Sequence, residues 1–280
     1  MHNSRSKSSL SRCTSAGYTF MQRAPVRVAV ERAKMHLTPT PQSPGTVDHT
    51  IYPSGDGRPV AETPVHRRNL FDLIDVLDRY FTDEPMVYVS GNMLMYYVPG
   101  DKRKHVAPDV FFVRGVPKEK QRDYYLVWEE AAPDLIIELT SKSTKAEDLG
   151  KKKRLYQNVL GVREYLLFDP RGEYLDPKLQ GYRLDNGKYV ALEPLDGRLV
   201  SEATGLHFEA QGEDLRVYDP VIGQLLPPAL ELLALASAER DVAVAERARI
   251  LAERDRIAAE NEQLRQELAE LRRRLGESGS

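Results

Sequence analysis

The chain has 280 residues, with 40 Lys and Arg against 42 Asp and Glu and a net charge of −2. That balance excludes a uniformly basic coat for nucleic acid, though not a local basic patch, and the single cysteine, Cys13, excludes a disulfide scaffold and a cysteine-built zinc site. No apolar run approaches the roughly 18–20 residues needed to span a bilayer, so the expectation is a soluble, cytoplasmic protein with no membrane partner.

Residues 1–48 are rich in Ser, Thr, Pro and Arg, and up to Val47 they carry seven Lys or Arg against one acid, Glu31. They read as a disordered tail or as a mis-started extension, since Met21 and Met35 could each begin the chain. Organellar targeting segments share this composition. Thr38 to Gly45, with three prolines, reads as a linker.

Residues 49–227 form one domain with enough chain for a core. Leu70, Leu73, Ile74, Leu77, Tyr80 and Phe81 mark one face of a helix from Pro64 to Phe81. Met86 to Val98, broken near Gly91, reads as one strand or a bent pair, and further strands are expected at Val110–Val113, Leu135–Thr140 and Tyr165–Phe168. Between the last two, Lys145 to Leu160 is a helix stopped by Gly161. That order is a βαβ unit, which implies neighbouring parallel strands. Beyond Pro170 the pairs Arg171-Gly172, Asn186-Gly187 and Asp196-Gly197 separate short strands (Gly181–Leu184, Lys188–Leu192) of a meander or hairpin extension. The fold class is α/β, a mixed β-sheet flanked by helices.

Residues 228–275 are almost pure helix formers. Ile250, Ile257, Leu264 and Leu271 recur every seven residues; placed at d, they put Asn261, Leu268 and Leu275 at a. Glu253, Glu260 and Glu267 then fall at g, with Arg265 and Arg272 at e, so a parallel pair sets Glu260 against Arg265 and Glu267 against Arg272. Asn at a favours two strands, Ile at d pulls toward higher order, and the competing reading is a single solvated helix. The expectation is a coiled coil pairing a homodimer, with residues 276–280 a disordered tail.

Carboxylates are scarce inside strands. Asp109 follows Pro108 at the head of Val110–Val113, and Glu138 lies inside the apolar run from Leu135 to Thr140. An ionised Glu there is costly unless compensated. A divalent cation shared with Asp109 would do so; so would an ion pair with a nearby Lys, or a place at the strand's wet end. From 142 to 154 six cations (Lys142, Lys145, Lys151, Lys152, Lys153, Arg154) face two acids, and seven more lie between 101 and 122. Carboxylates ringed by Lys and Arg suit a phosphodiester substrate. Either charge run alone reads as solvated surface.

Taken in order, Val106-Ala107-Pro108-Asp109-Val110, Pro133 to Thr144, Glu147 to Lys152, Leu155-Tyr156, Gly161 to Tyr165 and Phe168-Asp169-Pro170 resemble the Uma-type putative restriction endonucleases of the PD-(D/E)XK nuclease superfamily. The resemblance covers about residues 60–220, and members often carry a charged C-terminal coiled coil. It implies that Asp109 and Glu138 hold Mg²⁺ or Mn²⁺ together with the backbone carbonyl of Leu139. It also implies a Lys that orients or helps deprotonate the attacking water. Thr140 stands where the plain motif has Lys, and matching the Tyr-containing segment moves that role to Lys152 on the following helix, between Lys151 and Lys153.

Lys142 is the rival and, with Ser141, would touch phosphate from the turn; Tyr156, one turn past Lys152, is a substrate-side candidate or a packing neighbour. His66 stands where the family often has His, Asp134 and Asp169 read as turn residues, and Tyr124, Tyr125 and Trp128 read as packing that could also stack on bases. The expected function is hydrolysis of DNA by a metal-dependent endonuclease. The alternative is a non-catalytic nucleic-acid-binding or assembly module held by its coiled coil.

Overall fold

The computed structural model describes residues 52–55 and 63–277. The expected tail at 1–48 and residues 278–280 lie outside the described residues.

Helix α1 spans Pro64–Tyr80, with Phe81 as its C-cap. Thr63 caps its start by accepting from the His66 N–H (3.2 Å), and Pro64 sits in the first turn, where a missing N–H costs nothing. Its inner stripe, Leu70, Leu73, Val76 and Leu77, is buried.

That stripe lies on a six-stranded sheet made of β1 (Val87–Ser90), β4 (Val110–Arg114), β6 (Leu135–Leu139), β7 (Glu164–Phe168), β8 (Leu179–Asp185) and β9 (Lys188–Ala191), in that order. β6 and β7 are parallel and every other neighbour is antiparallel. The parallel pair is joined by helix α2, as the strand–helix–strand spacing predicted. α2 departs from the ordinary helix expected. It winds as a π-helix over Glu147–Lys152, an α-helix over Lys153–Leu155 and a π-helix again over Tyr156–Leu160, before Gly161 ends it in the left-handed region (φ 64°).

The pleat sorts the central strands' side chains onto two faces. Val110, Phe112, Leu135, Ile137 and Leu139 pack toward α1, whereas Phe111, Val113 and Ile136 pack with Tyr156 and Leu160 of α2. Glu138 and Thr140, one residue either side of Leu139, belong to the α2 face.

Two smaller sheets were not resolved by sequence reading. β3 (His105–Val106), β2 (Met95–Tyr96) and β5 (Tyr125–Leu126) make one, carrying the aromatics Tyr96 and Tyr125 into the core. β10 (Leu199–Val200), β11 (His207–Gln211), β12 (Asp214–Asp219) and β13 (Gln224–Leu226) make the other, which covers α1 from outside through Phe208, Leu215 and Val217. The expected meander beyond Pro170 is therefore divided: β8 and β9 extend the main sheet, and the rest builds this second layer.

Helix α3 runs over Ala229–Glu277, two residues past the expected boundary. Its first turn is tied to the domain by the Ala229 N–H donating to Asp75 (2.9 Å) and by Arg216 paired with Glu231 (2.8 Å). From Leu233 to Arg274 every residue is exposed.

Candidate functional site

Asp109 and Glu138 enter from adjacent antiparallel strands, β4 and β6, and meet at their ends. The Leu139 N–H donates to Asp109 Oδ2 (2.7 Å), and the Asp109 N–H points at Glu138 Oε2 (3.4 Å). Thirty positions of sequence are closed by this reciprocal contact. The approach is fixed from behind by Gly91, where a Cβ would lie 2.0 Å from the Asp109 carbonyl oxygen, and by the Asn92 N–H donating to the Pro108 carbonyl (2.9 Å). Only glycine leaves room at that position.

Lys152 reaches over the strand end from α2. Its Nζ lies 2.8 Å from Glu138 Oε2 and 3.1 Å from Asp148 Oδ1. The neighbouring lysines point elsewhere: Lys151 pairs with Glu147 (3.3 Å) and Lys153 lies over the Tyr182 ring. His66, from the first turn of α1, places Nε2 3.5 Å from Asp109 Oδ1.

Of the two readings of Tyr156, substrate-side candidate or packing neighbour, its position fits the second. It is fully buried and its hydroxyl donates to Glu138 Oε1 (2.6 Å), so it supports the carboxylate. Ser141 is half-buried and turned inward on Ser143 and Thr144 (3.0 and 3.2 Å), shaping the turn into α2. Lys142 is exposed and makes no ion pair among the described residues. Tyr125 is core packing, its hydroxyl donating to the Ala131 carbonyl (2.7 Å).

The surrounding cations are also less free than their count implied. Arg103, Arg114, Lys118 and Lys151 pair with Asp101, Glu84, Asp78 and Glu147, and Lys120 and Arg122 share Glu130. Lys142, Lys145 and Arg154 remain as exposed charges on the side of α2.

Asp148 was missed. It was read as ordinary charge, yet it is buried on the stripe Asp148, Lys152, Tyr156, which the four-residue spacing could have revealed. The site thus holds three carboxylates around one ammonium. Burial raises the Glu138 pKa to about 8, with Asp109 and Asp148 adding to the rise and Lys152 opposing it. Burial pushes Asp148 up as well. Burial also works against ionised Asp109, but His66, Lys152 and the Leu139 N–H outweigh it and hold its pKa below the usual value. For Lys152, burial is overcome by Glu138, Asp148 and Asp109, and the amine stays protonated.

This donor set fits a hard divalent cation. The carboxylates of Asp109 and Glu138 meet at one strand end, and on the same face the buried Thr140 Oγ1 has no hydrogen-bond partner. Among the described residues no group of three or more His, Cys, Asp or Glu side chains is arranged to hold a metal. A cation here would have two side-chain ligands and would take the rest from backbone, water or substrate. No helix among the described residues is long and apolar enough to cross a membrane.

A family profile described as "Uma2: Putative restriction endonuclease" matches residues 47–217. Among solved structures, the chain is similar to one described as a putative nuclease belonging to DUF820 from Anabaena variabilis, with 16% identity, 51% of this chain and 75% of that one covered, and a TM-score of 0.39. No curated protein matches the chain.

Proposed function

This chain belongs to the Uma2 family of putative restriction endonucleases, and from that premise we propose that it hydrolyses phosphodiester bonds of DNA as a metal-dependent endonuclease. The observation that carries the reading is the meeting of Asp109, Glu138 and Lys152 at one strand end. Asp109 and Glu138, with the Leu139 carbonyl, would hold Mg²⁺ or Mn²⁺. When bound, the ion supplies Lewis acidity at the attacked phosphate and acidifies water there.

The chain's own groups divide the remaining work. Lys152, held protonated by the carboxylates around it in the metal-free chain, would orient the attacking water and offset negative charge developing on the phosphate. Tyr156 and the Leu139 N–H hold the two carboxylates in orientation. His66 supports Asp109 from α1. Lys142, Lys145 and Arg154 are exposed and could meet a phosphate backbone that reached α2, a contribution that would weaken with salt.

Supercoiled plasmid incubated with the protein tests this. Cleavage should appear with Mg²⁺ or Mn²⁺, vanish in chelator and fall by at least about 100-fold in Glu138→Gln. Equal cleavage by wild type and variant at every salt concentration would sink it. We further propose that α3 pairs two chains, so that two sites can act on two strands. Removal of residues 228–280 should then lower the mass measured by light scattering.

A further inference from the structure

The heptad pattern does not run the length of α3. With Ile257, Leu264 and Leu271 at d and Asn261, Leu268 and Leu275 at a, the segment from 257 to 275 carries a continuous apolar seam broken by a single amide. Ile257, Leu264, Leu268 and Leu271 are about half exposed, with nothing covering them. Upstream, the a positions are Leu233 followed by Arg240, Arg247 and Arg254, and the d positions before Ile250 are Ala229, Ala236 and Ala243. A partner there would bury guanidinium groups against their own copies across a seam too small to fill.

The charges divide at the same place. Among the described residues Glu260, Arg265, Glu267 and Arg272 make no ion pair, although helical neighbours do: Arg256 pairs with Glu253 and Arg274 with Glu270. These four charges occupy g and e positions of the apolar segment, whose remaining e and g positions are Ala258 and Arg274. In a parallel pair they match as Glu260 with Arg265 and Glu267 with Arg272. In an antiparallel pair g meets g and e meets e, setting Glu against Glu and Arg against Arg. Upstream, Glu246 and Glu253 at g would meet Leu251 and Ala258 at e, with no charge to answer them.

We infer that residues 257–275 form a parallel zipper with a second copy of this chain, and that the seam arginines hold residues 229–256 apart, so that the dimer is a fork. The inference rests on the pairing through α3 proposed above and is independent of the chemistry at Asp109. Parallel pairing sets both catalytic domains at the same end of the zipper. Each rides on an unpaired helical arm of about 42 Å, at roughly 1.5 Å per residue. Two domains so carried can engage two separated phosphodiesters without touching one another.

Disulfide trapping tests the fork in the full chain on a Cys13→Ser background, with Leu271→Cys and Leu264→Cys as zipper reporters and Ala243→Cys as the arm reporter. All three are exposed d positions, so substitution leaves the domain's core alone. The zipper reporters should cross-link at least about tenfold faster than the arm reporter, because only they hold a high effective concentration of their own copy. Adding Arg247→Leu and Arg254→Leu should close the fork and bring Ala243→Cys to parity. Equal rates along the helix, or an arm rate unmoved by the two leucines, would overturn the fork while leaving a dimer by light scattering. A monomer at every concentration would overturn the pairing itself.

Discussion

Glu138 makes the metal-free protein pH-sensitive in a direction opposite to most buried carboxylates in ion pairs. Its pKa is raised from 4.5 to about 8, so the folded protein keeps a proton that the unfolded chain has released by neutral pH. The associated stability is fully present below pH 4.5 and is lost as pH rises through 8. At about 1.4 kcal/mol per pKa unit, the loss is on the order of 2–5 kcal/mol. Asp148 shifts in the same sense. Asp109, lowered, and Lys152, raised, titrate outside this window, and His207, lowered by burial from 6.5, acts in the opposite sense only below that pH. Denaturant unfolding in chelator from pH 6.5 to 8.5 should therefore show stability falling in the wild type and nearly flat in Glu138→Gln, whose amide resembles the protonated acid. Mg²⁺ at about 100 times its dissociation constant should return about 2.7 kcal/mol at pH 8. Parallel pH profiles for wild type and Glu138→Gln would refute the reasoning.

Lys152→Met leaves three buried carboxylates without their ammonium; cleavage should fall by about 100-fold or more while plasmid binding in filter assays changes less than tenfold. Tyr156→Phe removes a buried donor from Glu138 and should cost about 1–3 kcal/mol in denaturant unfolding, with the Mg²⁺-dependent gain in stability reduced. Gly91→Ala drives a Cβ into the Asp109 carbonyl, so both the melting temperature and metal-dependent cleavage should drop; an unchanged melting temperature would show that the strand end yields without strain. Asn69→Ala opens the buried amide that bonds the Val65 and Glu213 carbonyls and the Leu215 N–H, and should cost about 2–4 kcal/mol by the same unfolding assay without altering the carboxylate site.

The strands that frame the site were legible because each is a short apolar run with an acid out of place. Asp109 and Glu138 stand out on polarity alone, and the parallel β6–β7 pairing follows from the length of chain between them. The choice among Lys151, Lys152 and Lys153 was not legible from spacing, since three successive lysines cover most of a helical turn. The resemblance chose Lys152, and the structure separates the three by their partners. Asp148 was passed over because a side chain's role depends on which way α2 faces, and counting charges over a window discards direction. The basic patch was inflated in the same way, because about half of those cations answer acids, some close in sequence, as Arg103 answers Asp101, and some remote, as Lys118 answers Asp78. The outer sheet from β10 to β13 escaped notice because β10 and β13 are only two and three residues long, and β11 and β12 lack the continuous apolar runs of the central strands.

Moving the lysine from the strand to the helix changes what the site depends on. A lysine two residues beyond Glu138 would be placed by the strand itself, as rigidly as the sheet. Thr140 occupies that position, buried and without a partner for its hydroxyl, and the ammonium arrives from a separate element. α2 must then be held in rotation as well as in place. An ordinary α-helix drifts by about 40° for every four residues, which would turn Asp148, Lys152 and Tyr156 progressively off the strand end. The π-helical stretches on either side of Lys153–Leu155 wind more slowly and work against that drift. All three side chains reach inward: Lys152 and Tyr156 hold the two oxygens of Glu138, and Asp148 holds Lys152. Tyr165 on β7 fixes the helix further by donating to the Asp148 carbonyl (3.1 Å). The irregular winding of α2 is thus the structural counterpart of the relocated lysine, and restoring regular α-helical turns there would move the ammonium and the Tyr156 hydroxyl away from Glu138 together.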